Sequence, residues 1–293
     1  MLSVIVPVEA QVAAIRQTLD YLARQRGQGI ALEIVVVAAA PPPRVERLLA
    51  SYGNAVRRVS VPTGAGLGAA IAAGAAAAQG EHLVCLPPHT LPRPDWLRTL
   101  RDYADAHPEV AVIGSLIVDV RDRIEHAGLV IGGDGLPHRL YAGFPVNHTA
   151  VQSSRPVRAV SLVGAWWRRA AYEEVGGVAD DLDDLTVCAD FCLRLTEHGE
   201  TVHLCEASPL CWLGGPGLAE TSPDSEAARR FRARWGGLAP DDLSRYLADG
   251  LARVEYLSPR LMRWTLDPTM AEVDPVARVQ EVESLLREYE ARL

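Results

Sequence analysis

Apolar runs and helically spaced apolar positions alternate along the first hundred residues. Residues 3–8, 33–38 and 82–86 are short, nearly unbroken apolar runs, and Val56, Val59 and Val61 mark a further strand over 56–61. Runs of this kind predict strands buried on both faces of a parallel sheet. Between them, Val12, Ile15, Leu19 and Leu22 recur at helical spacing, as do Val45, Leu48 and Leu49 after the Pro41-Pro42-Pro43 break. A glycine turn at Gly64-Ala65-Gly66 opens an alanine-rich helix, and Pro94 introduces another that turns Trp96, Leu97 and Leu100 inward. This β-α-β-α-β-α-β order predicts a doubly wound parallel sheet with right-handed crossovers.

Beyond residue 110 the texture changes. Short strands are predicted at 110–114, 115–120, 124–131, 157–163 and 201–206, with an irregular stretch over 132–154. Helices are predicted at 170–175, ended by Gly176-Gly177, and at 189–198. The remainder reads as helical. One helix opens at Ser222-Pro223 and holds Ala227, Phe231 and Trp235; a second runs through Leu243, Tyr246, Leu247, Leu251 and Val254; a third runs from Asp274-Pro275 to Tyr289. The expected organisation is a domain over 1–220, with halves 1–105 and 106–220, and a helical extension over 221–293. That extension suits contact with a second copy of the chain or with a partner enzyme.

Composition narrows the classes of function. A net charge of −8 and a pI near 5.5 argue against a general nucleic-acid or anionic-membrane surface. No stretch approaches the ~18 uninterrupted apolar residues of a membrane span. The start, MLSVIVPVEAQ, has no basic segment before its apolar run, so it reads as a first strand and a cytoplasmic location is expected. Five cysteines without a CxxC pair argue against both a disulfide framework and a zinc site; Cys188, Cys192, Cys205 and Cys211 read as buried hydrophobes.

In open α/β sheets, ligands bind outside the carboxyl ends of the strands, which places the loop after Leu86 at the centre of any chemistry. That loop is Pro87-Pro88-His89-Thr90. The Gly64-x-Gly66-x-Gly68 cluster superficially matches a dinucleotide fingerprint. It follows the third strand and not the first, however, and no acidic residue ends a strand about twenty residues on. It reads instead as close packing of helix on strand.

Six segments in order carry a resemblance. They are SVIVPV; EIVVVAAAP; GLGAAIAAGAAAAQGEHLVCLPPHTLPRPDWL; VAVIGSLIVDVRDRIEHAGLVIG; VSLVGAWWRRAAYEEVGGVADDL; and ADFCLRLTEHGETVHLCEASPLCWLGG, with ARRFRARWG as a continuation. Together they resemble the family 2 glycosyltransferases, which have the GT-A fold, from residue 1 to about Trp235. The fold class implied is α/β, a GT-A, mainly parallel Rossmann-like sheet with a C-terminal helical extension. The resemblance also implies a nucleotide-sugar donor, a small-molecule or glycan acceptor, and hexosyl transfer. Carried over, it points to Pro7, Val8, Ala38, Gly66, Pro88 and His89 for the donor, and Trp166 and Trp167 for the acceptor. The base of the family falls at Val187-Cys188, so the residues left to act as a substitute base are Asp190, or Asp184 in the patch with Asp180, Asp181 and Asp183.

The chain departs from the family where the chemistry is concentrated. The acids that end the second strand are Ala38 and Ala39, and the metal-binding acids of the "DxD" segment are Pro88 and His89. The "ED" pair is Val187-Cys188, and a later histidine falls near Cys211 and Trp212. Mg²⁺ and Mn²⁺ need oxygen ligands, so no metal ligand and no cofactor are assigned. Three expectations follow: a degenerate, non-catalytic transferase that acts by binding; a metal-independent inverting transferase using Asp190 or the 180–184 acids; or a different reaction on the same fold. Asp190 with Arg194 also suits a simple helix-face ion pair, and His126 reads as structural.

Overall fold

The computed structural model describes residues 1–27, 29–182, 184–214, 218–258 and 261–266, with their side chains up to 252 except at 184 and 243. β1 (Leu2–Val8) leads through α1 (Val12–Gly27) to β2 (Leu32–Ala38), then α2 (Pro43–Ser51), β3 (Arg57–Ser60), α3 (Leu67–Ala77) and β4 (His82–Cys85). Nearly every residue of β1, β2 and β4 is buried, which is why these strands show no polar alternation in the sequence. Two glycines let α3 lie close to its neighbours. A Cβ on Gly74 would come within 2.5 Å of Ile5, and one on Gly68 within 2.6 Å of the Ala179 carbonyl oxygen. The glycine-rich stretch packs a helix, as its sequence context predicts.

The chain continues through β5 (Thr90–Pro92), α4 (Trp96–Ala106), β6 (Val110–Val118), β7 (Ile124–His126), β8 (Leu129–Ile131), β9 (Pro137–Arg139) and β10 (Arg155–Pro156). Then come β11 (Trp166–Arg168), α5 (Arg169–Glu174), α6 (Asp184–Glu197), β12 (Thr201–Trp212), α7 (Glu226–Trp235), α8 (Asp242–Ala248) and a hairpin of β13 (Ala252–Ser258) and β14 (Leu261–Leu266). Among the described residues, ten strands form one sheet along the path β10-β12-β6-β11-β4-β1-β2-β3, with β5 beside β12 and β7 beside β6. The strands β3, β2, β1 and β4 are mutually parallel, and β11 runs antiparallel between β4 and β6. With β12 parallel to β6, the carboxyl ends of β1, β2, β4, β6 and β12 all open on one edge.

Four expectations change. The predicted strands at 110–114 and 115–120 are one strand, β6, whose nine residues are all buried. The predicted strand at 124–131 breaks at Gly128, whose φ of +112° no strand accommodates, and its halves join different sheets. The apolar run 157–163 is buried loop beyond a single bridge to Leu129. Side chains satisfy its backbone in place of a ladder: Ser161 N–H donates to His126 Nε2 at 2.9 Å, Leu162 N–H to Cys188 Sγ at 3.3 Å, and Val163 N–H to Ser161 Oγ at 3.1 Å. Burial, then the Arg139 charge, lowers the His126 pKa to about 3, so it stays neutral and accepts that bond. The helical expectation for the C-terminal part also gives way. α7 opens at Ser225, whose Oγ accepts from Ala228 N–H, and not at Ser222; from Ala252 the chain pairs as a hairpin. Val254, Tyr256, Trp264 and Thr265 suit strands better than helix. The helix expected from Asp274 to Tyr289 lies outside the described residues.

α7 docks on the main domain, burying Phe231 and Trp235. Nearby, His138 ties β9 to the chain after β12, with Nε2 3.0 Å from Asp134 and Nδ1 3.4 Å from Glu220. Burial alone would lower its pKa, but the two carboxylates hold it at about 10, above the ordinary 6.5. A raised folded pKa means that the tie stabilises fully below pH 6.5 and is lost as pH rises through about 10. Urea midpoints should therefore fall across that window, and His138→Gln should flatten the fall. Equal slopes in the two proteins would remove His138 from the account.

Candidate functional site

A cleft of about 480 Å³ opens at the carboxyl edge of the sheet. β1 brings Pro7 and Val8 to it, and the following chain adds Glu9 and Gln11, then Ala14 and Ile15 of α1. Val37 and Ala39 come from the end of β2; Val61, Ala65 and Gly66 come from the segment before α3, and Leu67 and Ala70 from α3 itself. Pro87, Pro88 and His89, with Leu213 and Gly214 after β12, complete the lining. The loop is fixed by its own sequence. Pro87 has no N–H to extend β4. Thr90 turns the chain back, its N–H and hydroxyl both donating to the Pro87 carbonyl at 3.2 and 2.6 Å. The His89 carbonyl accepts from Leu213 N–H at 2.8 Å, which joins this loop to the end of β12.

Pro7, Val8, Gly66, Pro88 and His89 therefore share one cleft, although three separate stretches supply them. Ala38 does not join them. Successive strand residues face opposite ways, so Val37 and Ala39 line the cleft while Ala38 is buried in the sheet. Glu9 and Gln11 are lining residues that the sequence analysis passes over. Their signal is position, directly after a buried strand, where the rule for open sheets puts ligands.

Trp166 and Trp167 belong to the core and not to an acceptor surface. They are 3% and 0% exposed. The ring of Trp166 lies 5.1 Å from His82, and that of Trp167 meets Phe191 edge-on at 6.4 Å. β11 has a strand on either side, so its side chains are covered by the layers above and below the sheet.

Asp190 is also misplaced as a base. It is fully buried, and its carboxylate accepts from Arg194 Nε at 2.9 Å, Arg234 Nη1 at 2.6 Å and Trp235 Nε1 at 3.0 Å. A general base must reach the proton that it removes; Asp190 instead ties α6 to α7. The ion-pair expectation with Arg194 is met, within a larger cluster. Asp181 joins it, 3.8 Å from both Arg230 and Arg234. Asp183 and the side chain of Asp184 lie outside the described residues. Val187 and Cys188 are fully buried.

Among the described residues the lining carries one carboxylate, Glu9, and no arginine; the chain has no lysine at all. A Mg²⁺ or Mn²⁺ ion, which a GT-A fold implies, needs hard oxygen donors. The loop offers Pro88 and His89, and among the described residues no group of three or more His, Cys, Asp or Glu could hold a metal. These residues do not fit the ion, and no step is assigned to it. Besides His89, the described lining holds the start of α3 at Gly66, a partial positive charge with no side-chain cap. A helix N-terminus contributes about 0.3–1 kcal/mol to an anion, whereas desolvating an ion costs several kcal/mol. The cysteines are equally unsuited to a metal: burial raises the Cys192 thiol to about 12 and Cys205 to about 11.

Residues 3–129 match the profile of the family described as Glycosyl transferase family 2. No curated protein sequence matches the chain. Among solved structures, a complex of GalNAc-T7 with UDP, GalNAc and Mn²⁺ is similar over 80% of this chain and 47% of its own, at 14% identity and a TM-score of 0.62. TarS of S. aureus is similar over 84% of this chain and 43% of its own, at 15% identity and a TM-score of 0.53. The chain spans less than half the length of either, and identity at this level speaks for the fold alone. Among the described residues no helix is long and apolar enough to cross a membrane. The match to family 2 of the glycosyltransferases covers residues 3–129, under half of the chain, and the chain as a whole has the GT-A fold.

Proposed function

We propose that the cleft is a binding site from which metal-dependent sugar transfer has been lost. The family match over residues 3–129 suggests a nucleotide-sugar donor and a sugar acceptor. The observation that carries the reading is the lining: among the described residues, one carboxylate, no arginine or lysine, and Pro88-His89 where the family places its metal-binding acids. Charge stabilisation and general-base catalysis each contribute about 10²-fold or more, so losing both lowers the rate by about 10⁴-fold or more. With UDP- or GDP-linked hexoses and Mn²⁺, the protein should release no nucleoside diphosphate above the background rate. Sustained turnover that stops on adding EDTA would overturn this.

A second reading retains transfer without a metal, and Glu9 favours it as the carboxylate within the lining. Turnover would then persist in EDTA, and Glu9→Gln would abolish it. No turnover in EDTA with any of these donors removes this second reading.

A further inference from the structure

We propose that His107 and His203 together bind one borderline divalent metal ion of the Zn²⁺ type, away from the cleft and toward the opposite edge of the sheet. His107 caps the end of α4, just before β6, and His203 is the third residue of β12, which runs parallel to β6. Both therefore lie toward the amino ends of those strands, whereas the cleft lies at the carboxyl ends. The two imidazole rings are 5.8 Å apart, centre to centre. A zinc ion about 2.0–2.1 Å from a ring nitrogen sits about 3.2 Å from that ring's centre, so rings up to about 6.4 Å apart can share one ion. The observed spacing meets that condition.

The other nitrogen of each ring is engaged as a ligand requires. A metal-bound histidine almost always gives its second ring N–H to an oxygen, which fixes the ring. His203 Nδ1 lies 2.9 Å from the Tyr103 hydroxyl, and His107 Nδ1 lies 3.4 Å from the Glu109 carboxylate. Tyr103 also packs on His107, with ring centres 4.4 Å apart, so one side chain of α4 steadies both imidazoles. Among the described residues neither Nε2 has a hydrogen-bond partner. Burial, then the His107 charge, holds the His203 pKa below the ordinary 6.5, so that ring is neutral at pH 7, as metal binding needs. The negative end of the α4 dipole and the Glu109 carboxylate both favour a cation here. Imidazole selects Zn²⁺, Ni²⁺ or Cu²⁺ over Mg²⁺. Two protein ligands are fewer than the four of a closed structural site, so water completes the shell.

Calorimetric titration of the full chain, free of any affinity tag, should show one Zn²⁺ bound per chain, with no competition from excess Mg²⁺. At about a hundredfold excess over Kd, zinc should raise Tm by about 5–10 °C. His107→Ala and His203→Ala should each weaken binding by about tenfold or more, and Tyr103→Phe, which frees the His203 ring, by less than either. His107 sits at a partly exposed helix end, so its variant should keep the zinc-free urea midpoint of the parent. The proposal fails if micromolar Zn²⁺ does not bind, or if binding survives both histidine substitutions. Binding lost in His89→Ala instead would put the ion in the cleft, which overturns this assignment and the loss of metal chemistry there as well.

Discussion

Asp190→Asn should lower the stability of the protein by about 3 kcal/mol or more while leaving ligand binding by the folded protein unchanged. Three donors converge on this fully buried carboxylate. Breaking a buried ion pair by removing one partner costs about 3–5 kcal/mol, because the remaining charge is left without compensation. Arg194 is held in place, donating also to the Gly177 carbonyl at 2.7 Å, and its side chain is only 19% exposed. Arg234 is 39% exposed and can turn to water, which puts the effect toward the lower end. At about 2–4 °C per kcal/mol for a chain of this size class, a loss of 3 kcal/mol corresponds to about 6–12 °C in Tm. A catalytic Asp190 makes the opposite prediction: stability retained and turnover lost. Urea unfolding alongside a binding titration separates the two.

Trp167→Ala is expected to be at least as damaging, at about 3–5 kcal/mol. Its side chain is fully buried, against Phe191 and beside Leu83 and Val112 on the neighbouring strands. Its indole N–H has no hydrogen-bond partner in the structure, so the loss is one of packing alone. Trp167→Phe, which keeps most of the ring volume, should recover a large part of it. A change below about 1 kcal/mol, accompanied by weaker binding of a sugar acceptor, would restore Trp167 to the ligand surface.

The N-terminal half was legible because its physics is local. Strands covered on both faces are uniformly apolar, and helices between them show their period, so β1, β2 and β4 can be placed from the residues alone. The cleft followed from the same pattern, since the carboxyl ends of those strands had to meet at Pro7, Gly66 and His89. Long-range contacts hid the rest. Arg234 and Trp235, the partners of Asp190, are 44 and 45 residues further along, so a sequence window sees only the pair with Arg194. Trp166 and Trp167 look available for stacking until β11 is inserted between β4 and β6. Residues 157–163 look like a strand because a buried loop, satisfied by His126, Ser161 and Cys188, is as apolar as a ladder. Glu9 shows the reverse error: a single acid after a strand matches no motif, yet among the described residues it is the one carboxylate of the lining.

The proposed function turns on the failure of this GT-A cleft to assemble a metal-bound diphosphate. The paramagnetic resonance of free Mn²⁺ tests it most directly, recorded while the protein is added in the presence of UDP. The account predicts that the free-ion signal stays at the level that Mn²⁺ and UDP give without protein. A signal that falls in proportion to added protein, and returns on Pro88→Ala, His89→Ala or competition with excess Mg²⁺, would contradict it.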